Sequence, residues 1–139
     1  MLLAAMAGYA VAAFPALDPY RIEGDAIPAP LGSASGDPLR GREVIAGRDA
    51  NCLLCHAVAE TGVRFMGNIA PPLSGVGARL SEGQLRLRVV DQSRLNPDTV
   101  MPSYYRIDGL VRVAPAFRGK PVLTAQQIED VIAYLKTLK

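Results

Sequence analysis

Cys52-Leu53-Leu54-Cys55-His56 is the stretch on which the reading of this chain turns. Its spacing, C-x-x-C-H, is the attachment signature of c-type haem. Two thiols three positions apart on one helical turn can add to the two vinyl groups of a porphyrin. The adjacent His then lies under the iron and supplies one axial nitrogen. These three residues are also the chain's whole supply of Cys and His. A Cys/His catalytic triad built from separated segments is therefore excluded, as is a zinc site of four Cys and His ligands. The competing readings are a structural disulfide, a zinc site completed by a carboxylate, and a thioredoxin-type redox pair. The last needs a βαβ context that the surrounding sequence lacks. For zinc, nothing in the sequence singles out a fourth ligand.

Composition agrees with a cofactor-centred domain. The chain has 139 residues, the size of one domain or of one domain and a tail. Half the residues are apolar and 20% are charged, enough for a packed core. Aromatics make up only 6%, there is no Trp, and 13 Gly with 11 Pro imply many loops. Such a chain has a weak core of its own, and a flat apolar macrocycle can replace the missing aromatics. The net charge of +2 is too small to mark a nucleic-acid binder.

Working outward from the motif, residues 1–16 contain the uncharged run LLAAMAGYAVAAFPA, shorter than the ~20 residues a bilayer span needs. With small-x-small sites ending at Ala10, Ala13 or Ala16, the run reads as a secretory signal, although a basic n-region is missing. A retained anchor and a buried helix are the alternatives. Export agrees with the motif, because covalent haem attachment in bacteria takes place outside the cytoplasm. Residues 17–36 are rich in Pro, Gly and Ser and read as an extended arm. The domain proper is expected over 37–139. Asp37-Pro38 opens a first helix that Gly47 can stop. Ser81-x-x-Gln84 is a capping box for a second, although Leu85, Leu87 and Val89 also alternate as in a strand. Thr124-x-x-Gln127 is another capping box, followed by an apolar stripe of Ile128, Val131, Ile132 and Leu135 at helical spacing.

The second axial ligand must come from another residue type, since His56 is the one His. Met66, Met101, Lys120 and the tyrosines are candidates. Met66 follows His56 by ten positions, a tight span in which to reach the other haem face. Met101 follows it by 45, in the Pro-flanked loop Asn96-Pro97-Asp98-Thr99-Val100-Met101-Pro102, which leaves room for a helix to cross the haem edge first. Met101 is the expected ligand, a soft thioether that raises the reduction potential relative to two nitrogens. Met66 is expected to pack in the core or at the haem edge. Tyr104 and Tyr105 are expected mainly in the core.

Taken in order, a short helix, C-x-x-C-H, a Gly/Pro loop, a middle helix, a Met-Pro loop and a closing amphipathic helix resemble the class I c-type cytochromes. That resemblance implies an all-α, class I cytochrome c fold wrapped around one covalently bound haem c. It also implies that Pro71, in Asn68-Ile69-Ala70-Pro71-Pro72-Leu73, offers its carbonyl to the other nitrogen of His56, with Ala70 where the family often has Gly. The family's crossing of first and last helices would set Gly41 and Ile45 against Ala133 and Tyr134. A narrower resemblance covers residues 37–139. The runs GNIAPPLSGVGARLSEGQLRLRVVD, NPDTVMPSYY and GKPVLTAQQIEDVIAYLKTL are similar to the SoxX family, the monohaem subunits of periplasmic SoxAX complexes.

Membership implies a SoxA-type cytochrome partner, a sulfur-carrier protein reached through the complex and a downstream cytochrome acceptor. It also implies L-cysteine S-thiosulfotransferase activity for the complex, in which thiosulfate is joined oxidatively to a carrier cysteine. The residues limit this chain's share of that work. Both cysteines are consumed by thioethers, so no thiol remains to hold a sulfur intermediate, and no catalytic residue is expected here. Two other readings stay open: a free-standing periplasmic monohaem carrier feeding a terminal oxidase, and a haem sensor or peroxidase-like enzyme with a labile iron position.

Overall fold

The protein is described here by a computed structural model that covers residues 17–33 and 35–139. The expected secretory segment at 1–16 lies outside the described residues. Among the described residues, four α-helices are joined by long loops and short 3-10 turns: α1 (Pro38–Ala46), α2 (Val76–Arg79), α3 (Glu82–Asp91) and α4 (Ala125–Thr137). Each long helix begins where local chemistry says it should. Asp37 caps α1, its carboxylate accepting from the amides of Leu39 at 2.8 Å and Arg40 at 3.0 Å, with Pro38 at the first helical position. Ser81 and Gln84 form a reciprocal capping box on α3, and Thr124 and Gln127 form another on α4.

Helices α1 and α4 cross closely. A Cβ at Gly41 would overlap the carbonyl of Asp130 and press on the Cβ of Tyr134. Only glycine lets the two backbones approach this far. The expected pairing of Gly41 with Tyr134 is thus present, while Ala133 lies against Gly36, just ahead of α1. Helix α4 buries Ile128, Val131, Ile132 and Leu135, its apolar stripe.

The strand-like alternation in α3 has a simple cause. Leu85, Leu87, Val89 and Val90 are all buried, together with Gly83, Arg86 and Asp91, so the helix is enclosed on nearly every side. A helix covered all round loses the one-sided apolar pattern that distinguishes it from a strand.

Residues 17–36 do more than their composition signals. Ile27 and Leu31 are fully buried, and the amide of Ile27 donates to the carbonyl of Gly83 at 2.9 Å. The arm is fastened by a buried ion pair. Arg86 donates from Nε and Nη2 to the two carboxylate oxygens of Glu129, both at 2.8 Å. Its Nη1 donates to the carbonyl of Ile27 at 2.7 Å, and Glu129 Oε1 accepts from the amide of Leu31 at 2.9 Å. The boundary at residue 37 therefore divides the sequence by composition, while the core extends across it.

Candidate haem site

The motif forms a tight turn between α1 and the loops that follow. Cys52–Leu54 is one turn of 3-10 helix, entered through Asn51 in the left-handed region at φ 53°. The amide of His56 donates to the carbonyl of Cys52 at 3.0 Å, which brings the two cysteines and the histidine onto one turn. All three are half-buried. Burial pushes the Cys52 thiol up to about 11.

The segment 66–73 wraps this turn. Gly67 donates to Leu53 O at 2.8 Å, Ala70 to Cys55 O at 3.0 Å and Leu73 to Ala57 O at 3.0 Å. The carbonyl of Pro71 thereby comes within 2.7 Å of His56 Nδ1. A carbonyl can only accept, so Nδ1 carries the proton and Nε2 keeps its lone pair for a metal. The same wrapping places Met66 beside the motif, where its sulfur accepts from the amide of Val58 at 3.1 Å. That sulfur is occupied, and it sits on the segment that already supplies the support for His56.

Met101 comes from a different direction. It stands half-buried in the loop after α3, its amide donating to Thr99 Oγ1 at 3.1 Å. Tyr104, three residues on, ties this loop to the motif: its buried hydroxyl donates to Ala50 O at 2.6 Å, two residues before Cys52. Tyr105 is also buried, its hydroxyl accepting from the amide of Asp18 at 3.0 Å. These two tyrosines are thus engaged elsewhere, and Lys120 is exposed on a turn.

The residues present fit a haem. The Pro71 contact leaves Nε2 of His56 with its lone pair, and two thiols share its turn. Large apolar side chains on the segments around the motif and beside Met101 stand exposed, namely Leu54 (61%), Phe65 (89%), Ile69 (73%) and Val100 (83%). An apolar macrocycle would cover such surface, which is otherwise costly to leave in water. The zinc alternative lacks donors: among the described residues, no cluster of three or more His, Cys, Asp and Glu side chains is placed to hold a metal ion. Reading single residues missed Asp91, fully buried at the end of α3 beneath the Met101 loop, and the Arg86–Glu129 pair. A charged residue within an apolar helical run was the available signal for both.

A single-turn haem-attachment motif, set among a few helices and long loops, defines a c-type cytochrome. The Cytochrome c family model matches residues 39–139, and the chain belongs to that family, which implies a covalently bound haem c. Among solved structures, the chain is similar to one in the crystal structure of SoxXA from P. pantotrophus. The two share 41% identity with a TM-score of 0.78, over 86% of this chain and 94% of that one. With the family match, this bears out the resemblance to SoxX: the chain is a SoxX-type cytochrome. No curated protein matches it. Among the described residues, no helix is long and apolar enough to cross a membrane.

Proposed function

We propose that this chain is the electron-transfer subunit of a periplasmic SoxAX-type complex, in which Cys52 and Cys55 would attach one haem c and His56 and Met101 would be its iron-binding residues. The observation that carries the reading is the similarity to SoxXA over 86% of the chain, combined with a site whose two cysteines share one turn with His56. When bound, the haem supplies a one-electron couple. The chain's own residues anchor it, orient it and shield it. Cys52 and Cys55 would hold it by thioethers to its two vinyl groups. Pro71 O holds the proton on His56 Nδ1, which fixes the ring and strengthens Nε2 as a donor.

Joining thiosulfate to a carrier thiol forms one sulfur–sulfur bond and releases one proton and two electrons. With Cys52 and Cys55 used for attachment this chain would have no thiol left to hold the sulfur, and with His56 and Met101 both holding the haem it would offer substrate no place there. Catalysis therefore resides on the SoxA-type partner. Electrons leave through this subunit toward a downstream cytochrome, the second released electron requiring either two passages or another centre in the complex.

An assay combining thiosulfate, a sulfur-carrier protein and an external cytochrome acceptor tests the division of labour. The chain alone is expected to give no turnover, and addition of a SoxA-type partner is expected to restore it. Turnover without any partner would overturn the reading as an electron-transfer subunit. No turnover even with the partner would favour the second reading, a free-standing periplasmic carrier.

A further inference from the structure

One carboxylate closes the base of the loop that carries Met101. Asp91, the last residue of α3, is fully buried. Its Oδ1 accepts from the Ser93 amide at 3.2 Å and the Ser93 hydroxyl at 2.5 Å, on the side where the chain enters the loop. The same oxygen accepts from the Ser103 hydroxyl at 2.6 Å, on the side where the chain leaves it. Oδ2 accepts from Arg106 Nη1 at 3.1 Å, and Arg94 Nε lies 3.4 Å away. Burial works to raise the pKa of this carboxyl, but hydrogen bonds from Ser103 and Ser93 and the nearby Arg106 charge prevail and hold it below the usual carboxylate range.

We propose that Asp91 is a positioning residue for the axial thioether: by clamping both ends of the loop 93–106 to α3, it holds Met101 where it can stay ligated. This rests on Met101 as the ligand. The other ties of this end of the loop to α3 are weaker. Tyr104 N to Val89 O and Tyr105 N to Val90 O measure 3.3 and 3.2 Å, at the long end for such bonds, whereas the 2.6 Å contact from Ser103 to a carboxylate is short and charge-assisted. Among the described residues, the hydrogen bonds of the tip are local turns, Asp98 N to Asn96 Oδ1 at 3.1 Å, Thr99 N to Asn96 O at 3.1 Å and Met101 N to Thr99 Oγ1 at 3.1 Å, while Leu95 and Met101 pack against the edge of the core. Freed at its base, the loop would have to be ordered again each time the sulfur returned to the iron, and a competing ligand would gain by that cost.

The test uses the mature haem protein and measures displacement of the thioether from the ferric iron by imidazole, alongside the weak far-red band of iron–sulfur ligation. Asp91→Asn is expected to keep its covalent haem, because the attachment residues lie outside this cluster. Its half-saturating imidazole concentration is expected to fall by about tenfold or more, the worth of one hydrogen bond to a charged group. Ser103→Ala should shift it in the same direction by a smaller factor, and this variant decides the matter if Asp91→Asn fails to mature. Glu129→Gln, which weakens the buried pair beneath the arm, is expected to lower thermal stability and leave the imidazole titration unchanged. An unshifted titration in both loop-base variants, or an equal shift in Glu129→Gln, overturns the proposal. Met101→Ala separates the two ideas. If it retains the far-red band, the ligand assignment fails and the proposal with it. If it loses the band while the loop-base variants titrate like wild type, only the positioning role fails.

Discussion

At His56 the ring is held through Nδ1 by the Pro71 carbonyl at 2.7 Å, and the neighbouring Cys52 and Cys55 stand on the same turn. These residues do their work as a unit. The double variant Cys52→Ala, Cys55→Ala is expected to yield a chain without covalent haem and largely unfolded, since the exposed Phe65, Ile69 and Val100 have little protein to cover them. Haem staining on a denaturing gel reads the outcome, and covalent haem surviving in that variant would refute the assignment. Met66 and Met101 contrast at the same scale. One sulfur is committed to an amide beside the motif, and the other stands on a loop that reaches the motif from α3. Sequence distance from His56 already separated the two methionines. The hydrogen bond that occupies Met66 depended on the folding of the 66–73 loop and had no local signature.

Among the elements, the crossing of α1 and α4 depends on one residue without a side chain. A Cβ at Gly41 would overlap the Asp130 carbonyl, and backbone has no flexible end with which to yield. Gly41→Val is therefore expected to force the helices apart and to destabilise the protein by about 3 kcal/mol or more, as overpacked core sites do. Thermal unfolding of the mature protein measures it, and a loss below about 1 kcal/mol would show that the crossing adjusts freely. The helix starts were legible because capping is local: Asp37, Ser81 and Thr124 each act on amides two or three residues away. The enclosure of α3 was not legible, because an all-round apolar helix and a strand share the same short-range pattern.

For the molecule as a whole, two buried carboxylates on α4 join parts of the chain far apart in sequence. Glu129 binds Arg86 and the amide of Leu31, so it holds α3 and the arm to α4 at once. Glu129→Ala would leave the Arg86 charge buried and without its partner, a loss of roughly 3–5 kcal/mol. Denaturant unfolding should show this, with the arm becoming accessible to protease. Asp130 accepts from Arg40 Nε and Nη2, both at 2.9 Å, and from the amide of Asp37 at 2.8 Å. Burial acts to raise its pKa, but the bonds from Arg40, Asp37 and Gln126 outweigh that and lower it. A carboxyl whose folded pKa lies below its unfolded one stabilises the fold above the unfolded value, about 3.9. That contribution disappears as the pH falls through the lowered folded value. Asp130→Asn should accordingly lose stability at neutral pH and show a shallower decline below about pH 4 than wild type. Parallel acid limbs in the two proteins would contradict this.

The sequence by itself determined the haem-attachment motif, the helix starts and the family. Each of these is written in residues a few positions apart: C-x-x-C-H on one turn, a cap and its partner three residues on, and an apolar stripe at helical spacing. Only the tertiary structure decided that the arm belongs to the core, that Met66 is tied to the motif's own side, and that Asp91 binds both ends of the Met101 loop. Those contacts join residues that have no spacing rule between them. Ile27 meets Gly83, Leu31 meets Glu129, and Tyr104 meets Ala50 because the helices between them fold back, and composition carries no record of that return.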